Sequence, residues 1–207
     1  TNADLKQAEV MIVAWDARDP LLIRAFTEFK DVHRVRACVA YRDWTSADLP
    51  PDSLLDTIRV TCDDCEARGN KDCSHSERYL AKRMGHAFAY KMGARKLVRI
   101  LRREEIFVTE AEAKRIKSLV VSSSIAAWQD RVLEELRTSR WQTNALGRKR
   151  EFYGLLVEEL IRDSLSNKAQ SLVGDIIKRA QLKLFHSLPS HSRIVTQTHD
   201  SLTFCHP

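Results

Sequence analysis

One segment, predicted as a helix from Ser76 to about Lys91, constrains this chain more than any other part of it. Residues four apart on an α-helix differ by only about 40° around its axis and therefore share a face. At that spacing one face carries cations and rings, at Arg78, Lys82, His86 and Tyr90. The roughly opposite face carries Leu80, Met84 and Phe88. We predict a helix that docks on a core through one face and meets a ligand with the other; the alternative is a solvated basic face.

Most of the remaining chain also has helical periodicity, with a break at Asp19-Pro20 and a predicted N-cap at Thr109. The pattern dissolves between Arg42 and Lys71, where Pro50-Pro51 stops any helix and a loop is predicted. Only the end of the chain has the β-branched residues typical of strands. The fold class predicted is therefore α+β and predominantly helical. The predicted helices cover 5–29 with the break, 31–41, 76–91, 94–103, 109–122, 125–138 and 155–185, and the predicted strands cover 193–198 and 201–204.

Composition narrows the class of protein. The chain has 34 Lys and Arg against 28 acidic residues, a net charge of +6, which favours a polyanionic partner such as nucleic acid. No apolar run reaches the roughly 18 residues needed to span a bilayer, so no membrane partner is expected. An odd number of cysteines, five, without a secretory signal indicates free thiols and a cytoplasmic location. Because the chain begins with Thr rather than Met, we expect it to be a piece of a longer protein.

Six motifs follow one another along the chain. They are Asp4-Leu5-Lys6-Gln7-Ala8-Glu9, Asp31-Val32-His33, Arg78-x3-Lys82-x7-Tyr90, Leu146-Gly147-Arg148-Lys149-Arg150, Arg162-x7-Gln170 and His199-Asp200. In residues and in order they resemble the motifs of family A DNA polymerases, the bacterial polymerase I type. The resemblance implies an incomplete polymerase: a palm subdomain with a short antiparallel sheet and helices at 1–30 and 155–207, and an inserted helical fingers subdomain at 31–154.

The same resemblance implies template-directed DNA synthesis in replication or repair, by nucleotidyl transfer from a dNTP to a primer 3′-hydroxyl with two metal ions. Asp4 and Asp200 are the implied catalytic residues and Mg²⁺ ligands. The implied dNTP-binding residues are Gln7, Glu9, His33, Arg78, Lys82, His86 and Tyr90, and the implied primer-template contacts are Arg162, Gln170 and His199. A thumb and exonuclease portion upstream, or accessory proteins, would complete the assembly.

Departures from the family pattern leave a second hypothesis open. Lys91 stands where the family has glycine, and Ser201 replaces the second acidic residue of the last motif. A catalytically weakened or inactive polymerase-like protein that binds nucleic acid is therefore the alternative function. His86, where cellular relatives carry an aromatic residue, suggests a phage relative, whose location is the host cell cytoplasm.

The predicted fingers also contain an insertion, at about 42–75, with a cysteine pattern: Cys62-x2-Cys65-x7-Cys73-x-His75. Three thiols and one imidazole suit a tetrahedral structural Zn²⁺. Only seven residues separate Cys65 from Cys73, which is a short connection between two pairs of zinc ligands, and the segment is acidic. A zinc site and unligated thiols in a surface loop both remain open, and a zinc-centred interaction module is a third hypothesis for function.

Overall fold

Helices make up most of the chain in the computed structural model, which describes residues 2–68, 73–189 and 191–205. The predicted α+β, predominantly helical class is confirmed. In chain order the elements are β1 (Asn2–Asp4), α1 (Ala8–Asp16), α2 (Pro20–Thr27), α3 (Val32–Tyr41), α4 (Asp52–Leu55), α5 (Asp63–Ala67), α6 (Glu77–Ala89), α7 (Ala94–Arg103), α8 (Glu110–Val120), α9 (Ser123–Ser139), β2 (Trp141–Thr143), β3 (Lys149–Glu151), α10 (Glu158–Ser187), β4 (Arg193–Thr198) and β5 (Ser201–Cys205).

By its internal contacts the chain divides into two compact units. The first, here called the sheet unit, joins the two ends of the chain, Thr1–Val13 and Val132–Pro207. The second, the helical unit, is Ala14–Arg131. The two units meet after Val13 and after Arg131, whereas the predicted palm and fingers subdomains meet after residues 30 and 154. The boundaries of the palm and fingers stay a prediction.

A three-stranded antiparallel sheet, in the order β1-β5-β4, organises the sheet unit. Leu202 in the central strand is buried at 3% exposure. The expectation that sheet occurs only at the end of the chain was wrong on two counts. The first residues form β1 because they pair with β5, and the basic turn at Gly147 joins a second hairpin, β2-β3.

Four helices, α3, α6, α7 and α8, surround the core of the helical unit. Met84 and Phe88 of α6 are fully buried there, and Leu80 packs against them. Lys82, on the other face of the same helix, is exposed. The amphipathic pattern predicted from four-residue spacing is therefore confirmed.

Local chemistry explains where several helices begin. Asp19 is the N-cap of α2, its side chain accepting the Leu22 N–H at 2.9 Å, and Pro20 occupies the first turn, where its missing N–H costs nothing. Thr109 caps α8 in the predicted way. The loop predicted for 42–71 was too simple, because two short helices, α4 and α5, form within it. Among the described helices, none combines the length and the apolar character that crossing a membrane requires.

Candidate active site

In the sheet unit, Asp4 and Asp200 are neighbours across one strand pair. Asp4 ends β1 and lies opposite Ser201, the first residue of β5. The backbone N–H of Leu5 donates to the carbonyl oxygen of Asp200 at 3.0 Å. Asp4 is exposed and Asp200 is half-buried, so solvent reaches both. Carboxylate oxygens accessible to water are the ligands that Mg²⁺ prefers, and the pair fits such an ion.

The turn between β4 and β5 sets the position of Asp200. His199 has φ 51°, the left-handed conformation that tight hairpin turns use and that His adopts more readily than most residues. The hydroxyl of Ser201 donates to the carbonyl of Thr198 at 2.9 Å. Ser201, where the resemblance implies a second carboxylate, therefore closes the turn instead. His199 itself is exposed at the tip of the hairpin.

A hydrogen bond joins two other predicted site residues of the sheet unit. The side-chain amide of Gln170, on α10, donates to Oε1 of Glu9, on α1, at 3.4 Å. Arg162, on α10 two turns before Gln170, is paired with Glu158 and Glu159 of the same helix. Gln7 precedes α1 with φ 58°, and its carbonyl accepts the Met11 N–H at 3.0 Å.

In the helical unit, Arg78 is held by Asp31. Its Nε donates to Oδ2 of Asp31 at 2.7 Å, while Oδ1 of the same carboxylate accepts the N–H of His33 at 2.9 Å and caps α3. Burial raises the pKa of Asp31, but the hydrogen bond and charge of Arg78, together with His33, outweigh it, and the net shift of the pKa is downward. The carboxylate therefore stays ionised and fixes the guanidinium.

Next to this ion pair lies an open cavity of about 710 Å³. Such a volume is within the usual range of small-ligand sites. Three cations line it, from two helices, so it suits an anionic ligand. The lining residues are Asp31, Arg34, Val60, Cys73, Ser74, Ser76, Arg78, Tyr79 and Lys82.

Further along α6 lies a series of rings. The centroids of His33 and His86 are 6.2 Å apart, and those of His86 and Tyr90 are 6.5 Å apart. Burial, followed by the charge of Arg36, lowers the pKa of His33 to about 3 and that of His86 to about 4. Both imidazoles are neutral near pH 7 and act as rings rather than cations. His33 is only 2% exposed, so its contact with a phosphate stays a prediction.

Sequence reasoning missed a buried arginine beside these rings. Arg36 is 4% exposed, and its Nε and Nη1 have no hydrogen-bond partner in the part of the chain that the structure describes. Burial lowers its pKa to about 10, so it remains charged. A Cβ on Gly85 of α6 would come within 2.8 Å of Nη1 of Arg36, which means that the glycine makes room for the guanidinium. The signal was a glycine inside a helix, which costs stability unless packing requires it.

The end of α6 has a second unforeseen support. The side-chain amide of Gln129 is buried and donates to the carbonyls of Phe88 and Ala89 at 2.8 and 2.9 Å. Both carbonyls belong to the last two residues of α6, beyond which the helix continues no further; that of Phe88 also accepts the Lys91 N–H at 3.1 Å. Tyr90, the next residue, is thereby held in place.

The three cysteines of the insertion come together. The Sγ atoms of Cys62, Cys65 and Cys73 lie within 4.8 Å of one another. Burial raises the pKa of Cys73, but hydrogen bonds from the thiols of Cys62 and Cys65 and from the backbone N–H of His75 and Cys62 lower it to about 7. His75, the predicted fourth ligand, is not brought into the cluster, and its role as a ligand stays a prediction. The His75 ring is exposed, contacts Ser74 at 3.3 Å, and is not part of the cluster among the described His, Cys, Asp and Glu side chains.

Comparison with known proteins identifies the family. Residues 54–207 match the family model of DNA polymerase family A. This chain therefore belongs to DNA polymerase family A, and the resemblance drawn from its motifs is confirmed.

Individual relatives cover nearly all of this chain. DNA polymerase I of Treponema pallidum (strain Nichols) is 23% identical over 214 residues, a match that covers 98% of this chain and 18% of that protein. The thermostable DNA polymerase I of Thermus filiformis is 28% identical over 207 residues, covering 97% of this chain and 22% of that protein. The chain thus spans about a fifth of the length of these relatives.

A solved structure has the same fold. The POL domain of Pol1 from M. smegmatis, in complex with DNA primer-template and dNTP, superimposes with a TM-score of 0.73 at 25% sequence identity. The match covers 98% of this chain and 32% of that chain. The predominantly helical fold with small antiparallel sheets is therefore that of a polymerase domain.

Proposed function

We propose that this chain is part of a DNA-directed DNA polymerase that extends a primer 3′-hydroxyl with dNTPs on a DNA template. The observation that carries the proposal is the pairing of β1 with β5, which makes Asp4 and Asp200 neighbours across the sheet. Membership of DNA polymerase family A supports it, as does the fold shared with a polymerase domain that is in complex with primer-template and dNTP.

Asp4 and Asp200 are the proposed ligands of two Mg²⁺ ions. When bound, Mg²⁺ lowers the pKa of the attacking hydroxyl and neutralises charge on the leaving phosphates. The contribution of the chain is to keep two carboxylates at a fixed spacing. The β1-β5 ladder, the Leu5-to-Asp200 hydrogen bond and the turn between β4 and β5 support that spacing.

Arg78 and Lys82 are the proposed ligands of the dNTP triphosphate. A planar guanidinium fork and a compact ammonium both bind phosphate oxygens well. The ion pair with Asp31 holds Arg78 at the wall of the cavity, and Lys82 is exposed beside it. His86 and Tyr90 are proposed to pack on the sugar and base, a role that a neutral imidazole can fill. Because phosphoryl transfer needs little covalent help from a protein, such positioning and charge supply most of the rate.

In the sheet unit, Glu9 is proposed to exclude a ribose 2′-hydroxyl, with Gln7 as a further dNTP contact. The hydrogen bond between Glu9 and Gln170 supports the role of Glu9, because the Gln170 amide limits the directions in which the Glu9 carboxylate can point. Arg162, Gln170 and His199 are the proposed contacts with primer-template. The proposed ion for the cluster of three cysteines is Zn²⁺. Soft thiolate ligands bind Zn²⁺ better than they bind Mg²⁺.

The rival function is binding of primer-template without turnover, and two observations favour it. Ser201 provides a hydroxyl where the family has a carboxylate, and Lys91 has φ 57°, the strained conformation that the family's glycine accommodates. Primer extension by the full-length protein with Mg²⁺ and dNTPs separates the two functions. Extension supports the proposal, whereas tight binding of primer-template without extension contradicts it.

Substitution at the cavity adds a second test. The change Lys82→Ala should raise the KM for dNTP by at least about 10-fold, since a hydrogen bond to a charged group contributes about 1.5–3 kcal/mol. Lys114→Ala, which removes an exposed lysine from α8, is the matched control and should leave KM unchanged. An equal effect of the two substitutions would mean that the cavity does not bind the triphosphate.

A further inference from the structure

The thiol cluster in the helical unit already has nearly the spacing that a metal imposes. Around a tetrahedral Zn²⁺ with Zn–S bonds of about 2.3 Å, sulfur atoms lie about 3.8 Å apart. The three Sγ atoms of Cys62, Cys65 and Cys73 are within 4.8 Å of one another. A contraction of about an ångström at most, within the reach of side-chain rotation, closes the site around the ion.

The backbone prepares one of these sulfurs as a ligand. The backbone amides of His75 and Cys62 lie near the thiol of Cys73, which is 4% exposed. Hydrogen bonds from such groups orient the ligands of metal sites.

Acidic residues near the three cysteines favour a bound cation over unligated thiols. Asp63, Asp64 and Glu66 lie in the first turn of α5, beside the cysteines, and none of the residues of α5 is buried. A segment without a core of its own is the kind that a structural metal stabilises, because binding free energy then becomes folding free energy. Three soft thiolates select Zn²⁺ over the hard cations.

We propose that Cys62, Cys65 and Cys73 bind one Zn²⁺ through three thiolates, with the fourth position taken by water or another small donor rather than by His75. The site does not depend on the proposed polymerase chemistry, because it includes neither carboxylate of the Asp4 and Asp200 pair and neither proposed triphosphate cation, although Cys73 also lines the cavity beside Arg78. Its function is structural, and its effect is felt at the start of α6.

The connection to α6 passes through Cys73. The carbonyl of Cys73 accepts the hydroxyl of Ser76 at 3.0 Å and its N–H at 3.3 Å. That hydroxyl in turn accepts the Tyr79 N–H at 3.2 Å as the N-cap of α6. A metal that fixes Cys73 therefore fixes the cap of the helix two residues before Arg78.

Metal analysis of the full-length protein, purified under reducing conditions and dialysed, tests the site. We expect one zinc per chain more in the native protein than in Cys62→Ser or Cys65→Ser, which change partly exposed positions. Their affinity for Zn²⁺ should fall by more than the roughly 10–100-fold that loss of an outer-shell partner costs. Cys38→Ser and Cys205→Ser, which change thiols outside the cluster, are the controls and should retain the zinc.

His75→Ala decides between three ligands and four. We expect it to keep its zinc, and the Co²⁺-substituted protein to show a thiolate charge-transfer band of the same intensity as the native one. Loss of metal equal to that of the cysteine variants would overturn the three-thiolate site. So would a native protein without zinc, or a disulfide between two of the three cysteines.

Hydrogen exchange tests the connection to α6. Removal of zinc by a chelator should speed exchange of the Tyr79 and Leu80 amides in the native protein and leave them unchanged in Cys62→Ser, which has no metal to lose. Equal exchange with and without zinc in the native protein would overturn the connection.

Discussion

Asp31 binds Arg78 through one carboxylate oxygen, Oδ2 to Nε at 2.7 Å, and caps helix α3 with the other. One side chain thus fixes the start of α3 and orients the first cation of α6. The two functions can be separated by substitution, because asparagine caps a helix as well as aspartate does but carries no charge.

The pair predicts different results for two substitutions at Asp31. Asp31→Ala should destabilise the protein by about 1 kcal/mol through loss of the cap. Asp31→Asn should lose less stability than that, yet both variants should bind dNTP more weakly because Arg78 is no longer held. Urea unfolding and dNTP titration measure the two effects. Native-like dNTP affinity in Asp31→Asn would show that the ion pair does not position Arg78.

Gly85 is predicted to be irreplaceable because Arg36 passes beside it. Gly85→Ala places a methyl group within 2.8 Å of Nη1 of a buried guanidinium and should destabilise the protein by about 1–3 kcal/mol. Gly174→Ala in α10 is the matched control: no described heavy atom lies within 4 Å of its added Cβ, so the helix should gain about 0.5–1 kcal/mol. Both values come from denaturant unfolding. Equal effects at the two glycines would mean that Arg36 can move aside.

Lys91 is predicted to carry backbone strain. It has φ 57°, which costs a residue with a side chain roughly 1–2 kcal/mol. Lys91→Gly should therefore be more stable than Lys91→Ala by about 1 kcal/mol. Both variants lose the exposed ion pair with Asp130, in which the two atoms are 3.0 Å apart. The difference in stability between the two variants therefore measures the cost of the backbone conformation alone. Thermal unfolding gives the comparison, and an alanine variant as stable as the glycine variant would refute it.

The buried histidines predict how stability depends on pH. His33 and His86 have pKa values lowered from 6.5 to about 3 and about 4, chiefly by burial. Below about pH 6.5 the unfolded chain binds protons that the folded protein does not, so the free energy of unfolding falls as the pH is lowered. Asp31 and Glu77, whose pKa values are lowered from 3.8 and 4.5, contribute only at more acid pH.

Urea unfolding at about pH 7.5 and about pH 5 should show this loss, and His86→Phe should reduce it because one of the two sites is removed. Phenylalanine preserves a ring beside Tyr90, so the fold is maintained. If the free energy of unfolding falls as much between the two pH values in His86→Phe as in the native protein, His86 titrates alike in the folded and unfolded protein.

Local patterns predicted the parts of the fold that depend on local chemistry. The two faces of α6 follow from four-residue spacing, and the break before α2 follows from Asp19-Pro20. In the candidate site, the pairing of Asp4 with the β5 end was implied only by family resemblance, because no local pattern relates residues so far apart in sequence.

The features that were missed depend on long-range contacts. Strand β1 is three residues long and forms because it pairs with β5 at the other end of the chain. Arg36 is buried against the usual preference of arginine, which becomes intelligible only when Gly85 is seen beside it. The spacing of the cysteines indicated a site, but whether the ring of His75 reaches it depends on backbone geometry.

The most direct test of the proposed metal-binding pair, Asp4 and Asp200, is single-turnover incorporation of one dNTP by the full-length protein with Mg²⁺. Asp4→Asn and Asp200→Asn should each slow incorporation by at least about 10²–10³-fold, the range seen when one group that stabilises transition-state charge is removed. Asp48→Asn, which changes an exposed carboxylate paired with Arg24, is the control and should keep the native rate. Affinity for primer-template should stay near native in all three. Incorporation at close to the native rate by either Asp4→Asn or Asp200→Asn would show that the substituted carboxylate is not a ligand of the catalytic metal ions.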